Sequence, residues 1–224
     1  MQAVKILKKS FINFYDDIFK YLLLNMFCFF VIIIPFYLVY LTNYNMSFMI
    51  GGIIYLLIVS GPLFLSALKF IRKVYKGRII SYKDFFVLLK SNIKRGIISF
   101  LISAVIYIII IIDFLFFLDR SQNFIMLIFA ILFFYIFLLF SMIQIYYWGL
   151  MVLQDDEKII TIIKRAFLLV VDNILTTVLI FLAALLILLL NTLLPFIMPF
   201  FLFTLISLIM IITSEIILEK YDTK

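Results

Sequence analysis

Few residues in this 224-residue chain could catalyse a reaction or bind a metal ion. The sequence contains no histidine and a single cysteine, Cys28. Serine–histidine–aspartate triads, cysteine–histidine nucleophiles, disulfides and His/Cys metal sites are therefore unavailable within the chain. No phosphate-binding loop of the G-x-x-x-x-G-K-[ST] type occurs either. We expect no catalytic residue, no metal site and no cofactor, and we expect that the protein is not an enzyme.

Two polar residues within apolar segments are candidate intramembrane sites. Asp113 is the only acidic residue well inside a clear apolar run, so the paired aspartates of an intramembrane protease are not available. An intramembrane carboxylate is costly, but Asp113 lies close enough to the end of its run to reach water or Arg120, with a proton or cation role as the alternative. We interpret Gln144 as an interhelical hydrogen-bonding residue, the alternative being a substrate path.

The composition predicts an all-α, polytopic integral membrane protein. Hydrophobic residues make up 67% of the chain and charged residues 14%, and the mean hydropathy is +1.30. Soluble proteins contain about 45–50% apolar residues. A soluble globule of this size could not bury the excess, whereas a bilayer accommodates it.

Six apolar runs are each long enough to cross a membrane as a helix. We predict spans at residues 21–41, 48–68, 96–118, 124–153, 174–190 and 193–212. Pro195 and Pro199 favour a break between the last two runs, although a single bent or re-entrant helix is the alternative. No soluble domain is left over, so we treat residues 1–224 as a single membrane domain.

The basic residues predict the orientation of these spans. All of the 19 Lys and Arg residues except Arg120 fall on one side of the predicted topology. The positive-inside rule therefore places both termini in the cytoplasm. Asp16 and Asp17 precede the first run, which is too long for the apolar region of a signal peptide, so we expect this run to remain as a membrane helix.

An amphipathic stretch precedes each odd-numbered span. Apolar residues recur with helical spacing at Val4, Leu7, Phe11, Phe14, Tyr15 and Ile18, then at Tyr82, Phe85, Phe86, Leu89 and Ile93, and then at Ile159, Ile163, Ala166, Phe167 and Val170. We predict three cytoplasmic interfacial helices, with Phe14, Phe86 and Phe167 facing lipid or the protein core. Ser81 and Asp84 form a capping box that would begin the second of them.

The three stretches also share an F-x-x-x-x-x-N motif, at residues 19–25, 86–92 and 167–173. This pattern favours a threefold repeat of an interfacial helix plus a two-span hairpin, with units 1–71, 72–153 and 154–224. The alternative is that any short linker between hairpins becomes amphipathic at a membrane surface. We interpret Asn25, Asn92 and Asn173 as capping residues or as hydrogen-bonding residues between repeats.

Two other groups within the spans have structural interpretations. Gly61 and Pro62 in the second span indicate close helix packing, with a gating hinge as the alternative. Tyr146, Tyr147 and Trp148 end the fourth span, where an aromatic belt at the membrane interface is expected, the alternative being a platform that stacks on sugars.

Several motifs together resemble the YesL-like family of small bacterial integral membrane proteins. They are the run GPLFLSALK at residues 61–69, Gly77, the motif YKDFF at residues 82–86 with Asn92, the run KYLLLN at residues 20–25 and the segment 164–173. The family usually has smaller residues after the Gly-Pro pair than this chain has. The resemblance implies a Gram-positive plasma membrane and an association with carbohydrate uptake, notably with ABC-type importers.

The segment 69–95 carries nine basic residues and only one acid, Asp84. Topology determination, with attraction to anionic lipid worth about 1 kcal/mol per basic residue, is one interpretation of this excess, and a docking surface for a partner is the alternative. Two or three basic residues would ordinarily hold a loop inside, so we interpret the group Arg72, Lys73, Lys76 and Arg78 as a contact with a partner or with anionic lipid. We expect no nucleic-acid partner.

These features together predict an accessory or regulatory membrane protein that associates with a carbohydrate ABC-type importer and contacts its permease subunits. The alternative is a small membrane transporter or channel subunit. The chain lacks the Glu-Ala-Ala and glycine pattern of importer permeases, and it lacks the paired broken helices expected of many secondary transporters.

Overall fold

The computed structural model describes residues 2–193 and 201–222, and the regular elements within these ranges are all helices. They are α1 (Gln2–Asp16), α2 (Ile18–Leu41), α3 (Met46–Tyr75), α4 (Tyr82–Ser91), α5 (Ile93–Asp119), α6 (Phe124–Leu153), α7 (Ile159–Asp172), α8 (Ile174–Leu193) and α9 (Phe203–Asp222). The all-α class predicted from composition is confirmed for this part of the chain.

Four helices, α2, α3, α5 and α6, are long and apolar enough to cross a membrane. They contain 24, 30, 27 and 30 residues. At about 1.5 Å per residue, each is longer than the ~30 Å hydrocarbon core. The pair α7 and α8 meets the same criterion as one bent unit, with an angle of 101° between the two helices, which raises the number of candidate spans to as many as five. The predicted sixth span, 193–212, includes residues 194–200, which lie outside the described residues.

Protein covers little of the apolar surface of these four helices. In the most apolar 18-residue window of each, 22% of the residues of α2 and of α3 are buried, and only 6% of those of α6. An apolar surface of this extent is unfavourable in water and is accommodated by lipid. This exposed surface is that of a membrane protein.

Short turns join α2 to α3 and α5 to α6, so that each pair forms an antiparallel hairpin. Asn45 and Asn123 cap the second helix of each hairpin, because each side-chain oxygen accepts a hydrogen bond of 3.0 Å from the backbone N–H two residues further on. The predicted capping box of α4 is confirmed, since Ser81 N–H donates to Asp84 Oδ2 at 2.8 Å and the Ser81 side chain accepts in return.

Helices α3, α6 and α9 contact one another at the centre of the bundle. Most of their buried residues lie in the ranges 61–74, 144–152 and 204–217. Each of the shorter helices packs against one of these three: α4 against α3, α7 against α6, and α1 against α9. We call the end of the bundle where α3 and α6 finish and α5 begins the basic end, defined by Lys69, Arg72, Lys73, Lys76, Arg78 and Arg95.

The three predicted amphipathic stretches are helices α1, α4 and α7, and the face of α1 that packs against α9 only partly coincides with the predicted apolar stripe. Its buried residues are Ala3, Ile6, Ser10 and Phe14. Val4, Phe11 and Tyr15, which belong to the predicted stripe, are exposed. The contact with α9 selects a face that includes small residues, and these apolar side chains are left on the outside. Phe86 and Phe167 are also exposed, whereas Phe14 faces the core.

Helices α3 and α5 approach each other closely at Gly61 and Gly96. A Cβ atom added to Gly61 would lie 2.7 Å from the Gly96 carbonyl carbon and from Phe100 Cβ, and one added to Gly96 would lie 2.5 Å from Pro62 Cα. Real Cβ contacts are longer than 3.0 Å. Gly61 and Pro62 therefore form a packing contact of the kind that small residues make between membrane helices.

We expect Gly61→Ala and Gly96→Ala to destabilise the protein by about 1–3 kcal/mol, the cost of overpacking. Gly51→Ala is the matched control on α3, because its Cβ would meet no atom within 4 Å. Thermal unfolding of the three purified variants in one detergent measures the difference. If the Gly61 and Gly96 variants had the same melting temperature as the Gly51 variant, the close approach of α3 and α5 would be contradicted.

Candidate functional site

A cavity of about 840 Å³ lies at the basic end, between the ends of α3 and α6, helix α4 and the start of α5. Its charged lining residues are Lys69, Arg72, Lys73, Lys76, Arg78, Arg95, Asp155 and Asp156. The structure thus places all four predicted contact residues around one cavity and adds Lys69 and Arg95 to them. We call it the basic cavity and treat it as the candidate functional site.

Helical spacing places four of these residues on one side of α3. The four residues are Lys69, Arg72, Lys73 and Lys76. Their separations of one, three, four or seven positions keep them on the same side of a helix. Lysine and arginine are good helix formers and are favoured near a helix C-terminus, so α3 continues to Tyr75, beyond the predicted end of the second span. The repeat boundary predicted at residue 71 therefore falls inside this helix.

Gly77 ends this basic stretch of α3. Its φ angle of 70° lies in the left-handed region. Gly77 N–H donates to the Val74 carbonyl at 2.8 Å, and Arg78 N–H donates to the Lys73 carbonyl at 3.1 Å. This pair of bonds is a Schellman motif, in which glycine avoids the steric cost that a Cβ atom would bring. The motif determines where Arg78 leaves the helix.

Arg72 and Arg95 hold the C-terminal end of α6. Arg72 Nη1 donates to the Val152 carbonyl at 2.8 Å. Arg95 Nη2 donates to the Gln154 carbonyl at 3.2 Å, and Arg95 Nη1 donates to the Asp155 carbonyl. The last carbonyl groups of a helix have no partner within it. These two arginines therefore fasten α6 to α3 and to α5.

Lys69 connects the two sides of the basic cavity. Its Nζ donates to Asp155 Oδ1 at 2.6 Å and to Asn92 Oδ1 at 2.6 Å. Asn92 is buried between α4 and α5, and its Nδ2 donates to the Leu88 carbonyl at 2.7 Å. Asn92 therefore both caps the end of α4 and orients Lys69.

Helix α4 forms one wall of the cavity and is attached to α3 by aromatic contacts. Tyr82 stacks on Phe70, and Phe85 meets the same ring edge to face, with centroids 6.0 Å apart in both pairs. Burial raises the pKa of Tyr82, although the nearby Lys20 partly opposes this effect. Both contacts keep α4 beside the basic face of α3.

Lys76 forms an ion pair with Glu215 of α9. Glu215 was not among the residues predicted from the sequence, because the predicted sixth span ended before it. Only 13% of its side chain is exposed, and its Oε2 atom is buried without a hydrogen bond to a described residue. Its position three residues after the predicted span 193–212 is the signal that could have identified it.

The side chains of Lys73 and Arg78 make no hydrogen bond or ion pair with any residue in the ranges 2–193 and 201–222. Lys73 is partly exposed and Arg78 is exposed. Among the four predicted contact residues, Arg72 and Lys76 are thus held by other helices, whereas Lys73 and Arg78 are available to a ligand or partner.

The two candidate intramembrane residues lie away from this cavity. Ser103 Oγ donates to Gln144 Oε1 at 3.2 Å, which links α5 to α6. Asp113 is partly exposed on α5 and has no hydrogen bond or ion pair with a described residue. Arg120 does not reach it, because the guanidinium lies 3.8 Å from the centroid of the Phe116 ring and donates to the Phe116 carbonyl.

The prediction that Tyr146, Tyr147 and Trp148 form an aromatic belt or a sugar platform was wrong. All three are buried in the bundle. Tyr146 OH forms a hydrogen bond of 2.9 Å with Thr177 Oγ1, and Tyr147 OH donates to the Ser99 carbonyl at 3.3 Å. The C-terminal half of α6 lies between other helices, which a count of apolar residues along the chain does not reveal.

The remaining asparagines of the F-x-x-x-x-x-N motifs bind α9. Asn25 Oδ1 accepts hydrogen bonds from Thr204 N–H at 2.9 Å and from Thr204 Oγ1 at 2.7 Å. Asn173 Oδ1 accepts a hydrogen bond from Lys220 Nζ at 3.1 Å. Both asparagines therefore make polar contacts between helices.

Comparison of the chain with models of protein families, with curated proteins and with solved structures found no match. The resemblance to the YesL-like family stays a prediction based on the sequence motifs.

We expect Gly77→Ala to destabilise the protein by about 1 kcal/mol, because a left-handed residue with a Cβ atom is strained. Gly77→Asn is the control, since asparagine tolerates this conformation better than alanine. Thermal unfolding of both purified variants measures the effect. An equal loss of stability in both variants, or no loss in either, would contradict the role assigned to the backbone of Gly77.

Proposed function

We propose that the protein is an accessory membrane protein that contacts a carbohydrate ABC-type importer through its basic cavity. One observation carries this proposal: six basic side chains line one cavity, and two of them, Lys73 and Arg78, have no partner among the described residues. The identity of the partner as an importer rests on the resemblance to the YesL-like family.

The cavity is suited to binding an acidic surface. Its Lys and Arg side chains supply positive charge and hydrogen-bond donors. A single exposed charge pair contributes only ~0–1 kcal/mol, so a cluster is needed to retain a partner, and salt should weaken the contact. Such a cluster also speeds the encounter with an acidic partner.

The sharpest test is the double variant Lys73→Gln/Arg78→Gln, which neutralises the two residues without a hydrogen bond or ion pair to a described residue. Arg72 and Lys76 are unsuitable, since they hold α6 and α9. We expect the amount of permease that is recovered with the double variant from the source membrane to fall several-fold. Sugar uptake by the cells should fall as well, while the amount of inserted protein stays constant.

The matched control is Lys83→Gln/Lys90→Gln, which removes the same charge from exposed positions of α4 outside the cavity lining. It should retain the permease. Equal recovery with both double variants would contradict the proposed contact, and a parent protein that recovers no permease would reject the importer as the partner.

We further propose a multi-pass protein of the plasma membrane with six spans and with both termini in the cytoplasm. The support is the segregation of Lys and Arg residues, because Arg120 alone lies in the loops at the opposite end. The basic cavity would then face the cytoplasm.

Accessibility of introduced cysteines tests this topology. In a Cys28→Ala background, Ser121→Cys should react with a membrane-impermeant thiol reagent added to intact cells, and Ser91→Cys should react only after the cells are opened. Ser121 lies in the turn between α5 and α6, and Ser91 ends α4. The reverse labelling pattern would overturn the proposed orientation.

We also propose that α1–α3, α4–α6 and α7–α9 are three repeats. The packing order supports this, because the first helix of each unit packs against the last helix of another unit, and those last helices meet at the centre. An experimental structure that includes residues 194–200 tests the proposal by superposition of the three units. Unrelated helix-crossing angles would reject it.

A further inference from the structure

The basic cavity has an excess of positive charge that the described residues do not neutralise. Six basic and two acidic side chains line it. Asp155 is already paired with Lys69, and Lys76 is paired with Glu215 from α9. The charges of Lys73 and Arg78 are left without a partner among the described residues.

Arg95 provides a second observation at the same site. Its Nε atom is buried and has no hydrogen-bond acceptor within the described residues. Asp155 Oδ1 lies 3.8 Å from this atom, which is close enough for an ion pair but too far for a hydrogen bond. Asp155 is thus shared between Lys69 and Arg95, and one carboxylate does not neutralise two cations.

We infer that the basic cavity binds a phosphate group, which an anionic lipid headgroup or a soluble phosphate supplies. Arginine guanidinium groups match the geometry of phosphate oxygens, and lysine adds point charges. Two of the arginines, Arg72 and Arg95, are already held in place by α6, so binding does not need to order them.

The size and position of the cavity agree with such a ligand. Its volume of about 840 Å³ exceeds that of a phosphate alone and leaves room for the group to which the phosphate is attached. Leu88, Val152 and Leu153 add an apolar part to the lining. The cavity lies where the apolar segments of α3, α5 and α6 end, and basic pockets between membrane helices bind lipid headgroups at this level.

The inference does not depend on the proposed importer contact, because it concerns the purified protein without a partner. The parent protein, Lys73→Gln/Arg78→Gln and Lys83→Gln/Lys90→Gln are compared in detergent. Native mass spectrometry with equal amounts of phosphatidylglycerol and phosphatidylcholine measures lipid binding. Calorimetric titration with inorganic phosphate, against sodium chloride of equal ionic strength, measures binding of the soluble ion.

We expect the parent to bind phosphatidylglycerol in preference to phosphatidylcholine, or to bind inorganic phosphate. The Lys73/Arg78 variant should bind roughly tenfold more weakly, since it loses two charge-assisted contacts. The Lys83/Lys90 variant should bind like the parent. Both variants should melt like the parent, because none of the four side chains makes a hydrogen bond or ion pair with a described residue.

Binding of phosphatidylglycerol alone would identify a lipid headgroup as the source, and binding of inorganic phosphate alone would identify a soluble ligand. The inference would be overturned if the parent bound neither phosphatidylglycerol nor inorganic phosphate. It would also be overturned if the Lys73/Arg78 variant lost no more binding affinity than the Lys83/Lys90 control. Phosphate binding that is present in the parent and weakened in the Lys73/Arg78 variant, together with unchanged permease recovery in that variant, would count against the proposed function alone.

Discussion

The attachment of the C-terminal end of α6 to α3 and α5 organises the basic end of the protein. A helix leaves its last carbonyl groups without internal partners, and Arg72 and Arg95 supply the missing donors from two other helices. Lys69 adds an ion pair with Asp155 just beyond the helix. These bonds determine where α6 ends relative to its neighbours, and the basic cavity is the space that remains between the three helix ends.

Basic residues consequently have two physical roles in the same segment. Those whose donors are taken up by carbonyl groups or carboxylates fasten helices to one another, as Arg72 and Lys76 do. Lys73 and Arg78 have no such partners among the described residues, so they do not fasten one described helix to another. The positive-inside rule treats all four residues alike, because it counts positive charges in a loop and takes no account of their hydrogen bonds.

Helix α6 illustrates how one continuous helix can serve two environments. Its most apolar window is almost entirely uncovered by protein, whereas residues 144–152 are buried against neighbouring helices. Gly149 permits part of this packing, since a Cβ atom there would lie 2.6 Å from the Met210 carbonyl oxygen. Trp148 packs against Phe64 with ring centroids 4.7 Å apart, so aromatic residues that would suit a membrane interface instead fill the centre of the bundle.

The sequence alone determined the features that depend on neighbours along the chain. The apolar composition predicted an all-α membrane protein, the run 124–153 coincides with α6, and Ser81 and Asp84 identified the start of α4. These are local properties, because hydropathy, helical periodicity and capping act within a few residues. Only the tertiary structure decided which face of α1 is buried, that Tyr146 lies in the core and that Glu215 pairs with Lys76. It also decided that Lys73 and Arg78 have no hydrogen-bond or ion-pair partner in the part of the chain that the structure describes. Each of these outcomes depends on contacts between residues far apart in the sequence, which the spacing of residue types along the chain does not specify.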